Sequence, residues 1–230
     1  MSLDKFDLTD LHLPKGPIIT ESQDGVSRKV LVSLHRAGVV RKLGPGLYSQ
    51  DLVTPAQELI RKKFWRIVAY YFDEAIVSDR SALYEGLPID GVVTVVSNTR
   101  LSPVVLPGLK VLPRKGSSAF FDDIPWLHGL TFASVPRTIV ENLMLWNRDK
   151  NRKRSASPDE LYDWLGKKIN FANSMEISTF KSRSIEIASF MEVSSSNIEE
   201  FLDGVNSKLM RKSTKLGLGD LKLIDPYEKL

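Results

Sequence analysis

Asp122 and Asp123 are adjacent acids, and together with Lys115 they are the residues of this sequence that come closest to a catalytic pattern. Two carboxylates and a lysine at the ends of neighbouring strands can hold a metal ion that cleaves a phosphodiester bond. Here the two acids stand in FDDIPWLHG, a segment typical of a loop. A metal-dependent nuclease is therefore the least favoured function.

Other kinds of chemical site are excluded by residue type. The sequence has no cysteine, which excludes disulfides, thiolate zinc sites and cysteine nucleophiles. Its three histidines, His12, His35 and His128, lie far apart without the spacing of metal ligands. The glycines of LGPGLY lack the lysine of a phosphate-binding loop, and no nucleophile has a base beside it. We predict no catalytic residue, no metal site and no cofactor.

Four further charged residues predict structure rather than acid–base chemistry. Asp79 and Arg80 lie in VSDRSAL, and Arg137 and Glu141 lie in PRTIVEN. Their opposite charges are better suited to a structural ion-pair cluster than to catalysis.

The clearest functional signal is a concentration of positive charge in DGVSRKVLVSLHRAGVVRKLGPGLYSQ, residues 24–50. This stretch has five lysines and arginines and a single acid, Asp24. Basic side chains gathered on one short unit are typical of a surface that binds nucleic acid.

The elements that carry these side chains predict a winged helix-turn-helix. We expect Thr20 to cap a short helix through Gln23, and Ser27 to cap a second helix that ends at Gly38. The buried stripe of the second helix consists of residues at three- and four-residue spacing, Val30, Leu31, Leu34 and Ala37. The following VVRKLGPGLYSQ predicts two strands joined by a Gly-Pro-Gly turn.

The second helix of such a module enters the major groove, and its wing contacts the DNA backbone. The candidate DNA-binding residues are Ser27, Arg28, Lys29, Ser33, Arg36, Arg41 and Lys42. Tyr48 is expected to pack the wing against the helices. The alternative is a protein-interaction module whose basic face is merely solvated.

The rest of the chain predicts a mixed α+β unit followed by helices. A long helix is expected from Thr54, as its cap, and Pro55. Short strands are expected at 92–97, within 102–116 and at 129–135, and a helix begins at Pro136. The basic segment RDKNRKRSASP, 148–158, favours a solvated linker, and amphipathic helices follow it.

The predicted fold is therefore α+β with three parts. They are a winged helix-turn-helix domain at 1–53, a mixed α+β domain with a small sheet at 54–147, and a helical C-terminal region at 148–230. The third part can be continuous with the second.

The composition is that of an ordinary globular protein. The 230 residues are 42% hydrophobic and 26% charged, with a formal net charge of +4. This mild excess of positive charge permits a polyanionic partner without requiring one. No basic start followed by an apolar run marks a signal peptide, and no apolar stretch approaches the ~20 residues that span a bilayer. We expect a cytoplasmic protein without membrane association.

Three stretches of the sequence, taken in order, resemble the AbiEi-type antitoxin family of bacterial type IV toxin–antitoxin systems. They are GVSRKVLVSLHRAGVVRKLGPGLYSQ, VSDRSALYEGLP and GLTFASVPRTIVENL. The first is similar to the family's recognition helix and wing, the second to its s..sAl..hGL helix, and the third to its strand and s..RTl.D.L step. Glu85 stands where the family often has histidine, and Glu141 where it has aspartate. The resemblance covers residues 17–147.

This resemblance implies a winged-helix repressor of its own operon whose C-terminal part counteracts a nucleotidyltransferase toxin. The residues already named on the second helix and the wing would contact operator DNA, with two copies on inverted repeats. The same N-terminal and middle modules also occur ahead of Fic-type AMP-transferase domains. A sensor that regulates a partner enzyme without binding DNA is thus the alternative.

Overall fold

The computed structural model describes residues 18–20, 25–146, 154–168 and 174–215. In these ranges the chain has the predicted α+β class, with eight α-helices and two sheets. Its contacts group into two compact units. Unit 1 comprises Met1–Val77, Gly86–Ser118 and Pro125–Phe132, and unit 2 comprises Ser78–Glu85, Ala119–Ile124 and Ala133–Leu230.

Unit 1 begins with a helix–hairpin module made of β1 (Ile19–Thr20), α1 (Arg28–Arg36), β2 (Arg41–Gly44) and β3 (Leu47–Ser49). The three strands are antiparallel in the order β1-β3-β2. A small core joins them to α1 and consists of Ile19, Leu31, Leu34, Val40 and Tyr48. The predicted hairpin and the inward packing of Tyr48 are confirmed.

One detail of this module differs from the sequence prediction, and another lies partly outside the described residues. Thr20, the expected cap, lies fully buried at the end of β1 and pairs with Leu47 of β3. The helix expected through Gln23 falls on residues 21–24, outside the described ranges. Ala37 is exposed rather than buried, because α1 ends at Arg36 and Ala37 is its C-cap.

The long helix expected from Thr54 is two helices, α2 (Ala56–Lys62) and α3 (Phe64–Tyr71). Lys63 separates them with a non-helical backbone, φ −129° and ψ 20°. Thr54 is not the cap. The N–H groups of Thr54 and Val53 both donate to Asp51 Oδ1, at 2.8 and 2.9 Å. No side chain caps α2. The apolar stripe runs on through both helices, so its periodicity could not reveal the break.

The larger sheet has six strands in the order β6-β7-β5-β4-β9-β8. They are β4 (Ile76–Val77), β5 (Val92–Val96), β6 (Val104–Leu106), β7 (Leu109–Arg114), β8 (Ile124–Pro125) and β9 (Thr131–Phe132). β5 is parallel to β7, and β4 is parallel to β9, whereas β5–β4 and β6–β7 are antiparallel. The strands predicted at 92–97 and within 102–116 are confirmed, and that at 129–135 shrinks to two residues.

β5 lies inside this sheet, and its residues from Val93 to Val96 are all buried. A strand covered on both faces reads as a continuous β-branched run rather than an alternating one, as VVTVV does. Val93 and Val95 join a core with Ile67, Val68 and Phe72 of the α3 segment.

Unit 2 is mainly helical. Its helices are α4 (Asp79–Leu83), α5 (Val135–Trp146), α6 (Pro158–Lys168), α7 (Ser174–Phe190) and α8 (Ser195–Lys215). Their shared core includes Ile139, Leu161, Leu165, Ile187 and Ile198. A capping box closes the start of α6: the Ser157 and Glu160 side chains each accept from the other residue's N–H, at 3.2 and 2.8 Å.

One large apolar residue of this unit is exposed. Phe190 ends α7 and is 70% exposed, although its ring meets that of Phe120 edge-on at 5.3 Å. The basic residues at 148–153 and the tail from 216 lie outside the described ranges. The three-part domain division stays a prediction, because contact grouping does not reveal which parts fold alone. No helix in the described parts of the chain is both long and apolar enough to cross a membrane.

Candidate nucleic-acid interface

Residues at both ends of helix α1 cap it. Ser27 has an extended backbone, and its Oγ accepts from the Val30 N–H at 3.4 Å. At the other end Gly38 has φ +72°, and the Val39 N–H donates to the Leu34 carbonyl at 2.9 Å. This left-handed glycine cap was predicted and is confirmed. The caps fix where α1 begins and ends.

Five of the seven candidate residues are exposed on α1 and its N-cap: Ser27, Arg28, Lys29, Ser33 and Arg36. Lys29, Ser33 and Arg36 stand at i, i+4 and i+7, so they follow one stripe opposite the buried Leu31 and Leu34. The first turn contains no acid. Because the N-terminus of a helix has a partial positive charge, Arg28 and Lys29 add to it, and a bound anion would be favoured there.

The two candidate residues on the hairpin have different surroundings. Lys42 is exposed on β2, where it pairs with Tyr48 of β3. Arg41 is half-buried, and its Nη2 donates to the Thr54 carbonyl. The structure thus presents Lys42 to solvent and uses Arg41 to hold the segment before α2. A DNA contact by Arg41 stays a prediction.

The segment that Arg41 reaches is itself ordered by Asp51. Hydrogen bonds from Thr54, first from its side chain and then from its backbone, hold the pKa of the Asp51 carboxyl below its usual value. The positive charge of Arg41 acts in the same direction. Asp51 and Arg41 therefore form a local structural group around Thr54.

The tip of the hairpin is fixed within unit 1 rather than free in solvent. The Tyr71 hydroxyl of α3 donates to the Pro45 carbonyl at 2.6 Å. Gly44 approaches Leu106 of β6 so closely that a Cβ at this position would lie 2.4 Å from Leu106 Cδ2. A larger residue at this position would therefore force the Leu106 side chain to shift.

A cavity of about 450 Å³ opens beside the tip, between α1, the hairpin, α3 and the loop after β5. Arg28, Lys42 and Arg100 line it, together with Tyr70 and Tyr71. Arg100 was not predicted as a functional residue. It lies far along the chain in SNTRLSP, and nothing in that segment signals its place beside α1.

The acids considered for a nuclease have structural partners. Asp123 is buried, and its carboxylate accepts from the N–H groups of Phe120 and Ser134, each at 2.8 Å, and from Arg137 Nη1 at 2.6 Å. Asp122 pairs instead with Arg183, Nε to Oδ2, at 3.1 Å. The two carboxylates thus serve separate ion pairs.

Two of the four residues expected in a structural ion-pair cluster, Arg137 and Glu141, pair with each other. Arg137 Nε donates to Glu141 Oε1 at 2.9 Å, and both side chains are fully buried. Asp123, which the sequence analysis considered for a nuclease site, also pairs with Arg137. Arg80 lies 3.6 Å from Glu160 Oε1.

Among the described residues, no group of three or more histidines, aspartates or glutamates is placed to hold a metal ion. No protein-family model matches the chain, and no curated protein is similar to it. The likeness to a known family therefore rests on the sequence motifs quoted above.

Proposed function

We propose that this protein is a DNA-binding antitoxin and transcriptional autorepressor, similar to the AbiEi-type family. In this proposal the helix–hairpin module acts as a winged helix-turn-helix on the protein's own operator. The protein works in the cytoplasm, two copies bind inverted repeats, and a nucleotidyltransferase toxin is counteracted. The toxin half of the proposal rests on the resemblance of the three sequence motifs.

One observation carries the DNA-binding half. The exposed stripe of α1 presents Lys29, Ser33 and Arg36 in line, with Arg28 beside them. Such a stripe can place lysine and arginine against phosphates and against the acceptor atoms of guanine. The hairpin next to it adds Lys42 at the same end of the module.

Fluorescence anisotropy tests this proposal. The probe is labelled DNA from upstream of the protein's own gene, with scrambled DNA alongside, at about 50 and about 200 mM salt. We expect selective binding whose affinity falls steeply with salt, with a slope of about −0.9 per neutralised phosphate. The double variant Lys29→Ala/Arg36→Ala should lose operator preference and bind at least about tenfold more weakly, because each good base contact is worth about 1–3 kcal/mol.

A matched variant separates this stripe from general charge. Arg61→Ala/Lys63→Ala removes two exposed positive charges from α2 and the break after it, and should leave operator preference intact. Both double variants should keep a melting temperature close to that of the parent protein, because exposed charges contribute about 0–1 kcal/mol. Equal losses of affinity in the two variants would refute a specific role for the stripe.

A protein-interaction module remains the second candidate because of one feature of unit 2. Phe121 is 84% exposed, and the Arg183 guanidinium carbon lies 3.8 Å from its ring centroid. Exposed aromatic and arginine pairs are typical of interaction hot spots. If both DNAs give flat anisotropy curves, co-purification of a partner follows, and Phe121→Ala should release that partner.

A further inference from the structure

We propose that the cavity of unit 1 beside the hairpin tip binds the phosphate groups of a small phosphorylated ligand of nucleotide size. We further propose that this ligand competes with DNA for Arg28 and Lys42. The competition rests on the proposed function, whereas the binding of the ligand does not.

The charge of the lining supports an anionic ligand. Three cationic side chains come to one cavity from three separate elements: Arg28 from α1, Lys42 from β2 and Arg100 from the loop after β5. The described lining residues include no aspartate or glutamate. Cations gathered in this way lower the energy of a bound anion. Phosphate suits them, because arginine forms two parallel hydrogen bonds to it and lysine supplies a point charge.

Arg100 is ordered by its neighbours in a way that favours binding. Its guanidinium carbon lies 5.3 Å from the Tyr71 ring centroid and 5.7 Å from that of Phe72, which are cation–π contacts. Its backbone N–H donates to Ser97 Oγ at 3.2 Å. A guanidinium that is already held loses less conformational entropy when a ligand binds.

The size of the cavity favours a small molecule over a bare DNA backbone. Its volume of about 450 Å³ lies within the ~300–1,000 Å³ of small-molecule sites. Tyr70 and Val32 add an aromatic and an aliphatic wall, against which a ligand ring could pack. A duplex phosphate needs only exposed donors and would leave these walls unused.

Calorimetric titration with sodium pyrophosphate tests the site, with sodium chloride of equal ionic strength as the blank. We expect saturable binding that Arg100→Gln and, separately, Lys42→Gln weaken about tenfold or more, as loss of a charged hydrogen bond would. Lys42 is exposed, so its variant reports on binding even if Arg100→Gln fails to fold. Arg61→Gln, which removes an exposed charge outside the cavity, should leave the affinity unchanged. Equal effects of Lys42→Gln and Arg61→Gln, or a response matched by the blank, would overturn the site.

Addition of pyrophosphate to the protein bound to labelled operator DNA distinguishes the two sources of phosphate. Displacement that Arg100→Gln prevents would support the competition. If the parent protein binds no pyrophosphate and Arg100→Gln loses DNA affinity, the cavity binds a DNA phosphate. That result would overturn the proposal of a small ligand. Saturable pyrophosphate binding by a protein that binds no DNA would support the site and refute the proposed function.

Discussion

Asp122 and Asp123 are neighbours in sequence with opposite surroundings. The Asp123 side chain is fully buried with Arg137 and accepts two backbone N–H groups, whereas the Asp122 side chain is 23% exposed and pairs with Arg183. Removal of one partner from a buried ion pair leaves a charge and several donors without solvent or partner. The same change near the surface lets water replace the lost contacts.

The first prediction compares these two residues. Asp123→Ala should lower the free energy of unfolding by about 3–5 kcal/mol, and Asp122→Ala by about 1 kcal/mol or less. Chemical denaturation followed by circular dichroism measures both. A similar loss for the two variants would contradict the structural role assigned to Asp123 alone.

At the scale of elements, the hairpin tip is held by Leu106 of β6 and by Tyr71 of α3. A methyl group at Gly44 would lie 2.4 Å from Leu106 Cδ2 and 3.0 Å from the Tyr71 hydroxyl oxygen. Leu106 is a buried residue, so it has little room to move aside.

Gly44→Ala should therefore destabilise unit 1 by about 1–3 kcal/mol through overpacking. Leu106→Ala alone should also destabilise it, because a cavity is left. In the double variant the new methyl group occupies part of that cavity, so the loss should be smaller than the sum of the two single losses. Thermal unfolding of the four proteins measures this difference. Strict additivity would mean that the two side chains do not meet.

The start of α6 gives a prediction about pH. Burial raises the pKa of Glu160, but hydrogen bonds from the Ser157 N–H, the Tyr84 hydroxyl and Ser157 Oγ outweigh it, with help from the charge of Arg80. The net pKa in the folded protein is below the ordinary value of 4.5. A carboxyl with a lowered folded pKa stabilises the fold above its unfolded pKa, and this stabilisation is lost as pH falls through the folded value.

Glu160→Gln should accordingly lower the melting temperature near neutral pH, and the difference from the parent protein should shrink as pH falls below about 4.5. Differential scanning calorimetry of both proteins measures this difference, from neutral pH down to the lowest pH at which they still fold. Glu200→Gln, an exposed change on α8, controls for the loss of any carboxylate. A difference that stays constant with pH would show that the Glu160 charge is irrelevant to stability.

At the scale of the whole molecule, the charge is unevenly distributed along the chain. Residues 24–50 hold five basic residues and one acid, a net charge of +4. This equals the net charge of the entire sequence. The remaining residues therefore balance to zero. The net positive charge that could attract an anion is thus contributed by residues 24–50.

Local sequence predicted much of the fold because local energetics decide it. Ser27, Gly38 and the Gly-Pro-Gly turn fix α1 and the hairpin through short-range hydrogen bonds and allowed φ values. The β-branched run of β5 marks a covered strand. The α+β class and most described element positions follow from such signals.

The parts that failed depend on partners distant in the chain. The pairing of Thr20 with β3 was not predicted, and Lys63 interrupts a stripe whose periodicity is unbroken. In the candidate site, the exposed face of α1 was predictable from helical spacing. The engagement of Arg41 by Thr54, and the place of Arg100 at the cavity, arise from tertiary packing that no local pattern encodes.

The fixed hairpin tip has a thermodynamic consequence. A loop that becomes ordered only on contact loses conformational entropy at that moment, and its affinity falls accordingly. Here the Tyr71 hydroxyl already holds the Pro45 carbonyl, and Leu106 packs on Gly44. The ordering of this loop is thus part of folding. Whatever the module binds meets a hairpin with its shape already set, so ordering of this loop should add nothing to the heat capacity change of binding.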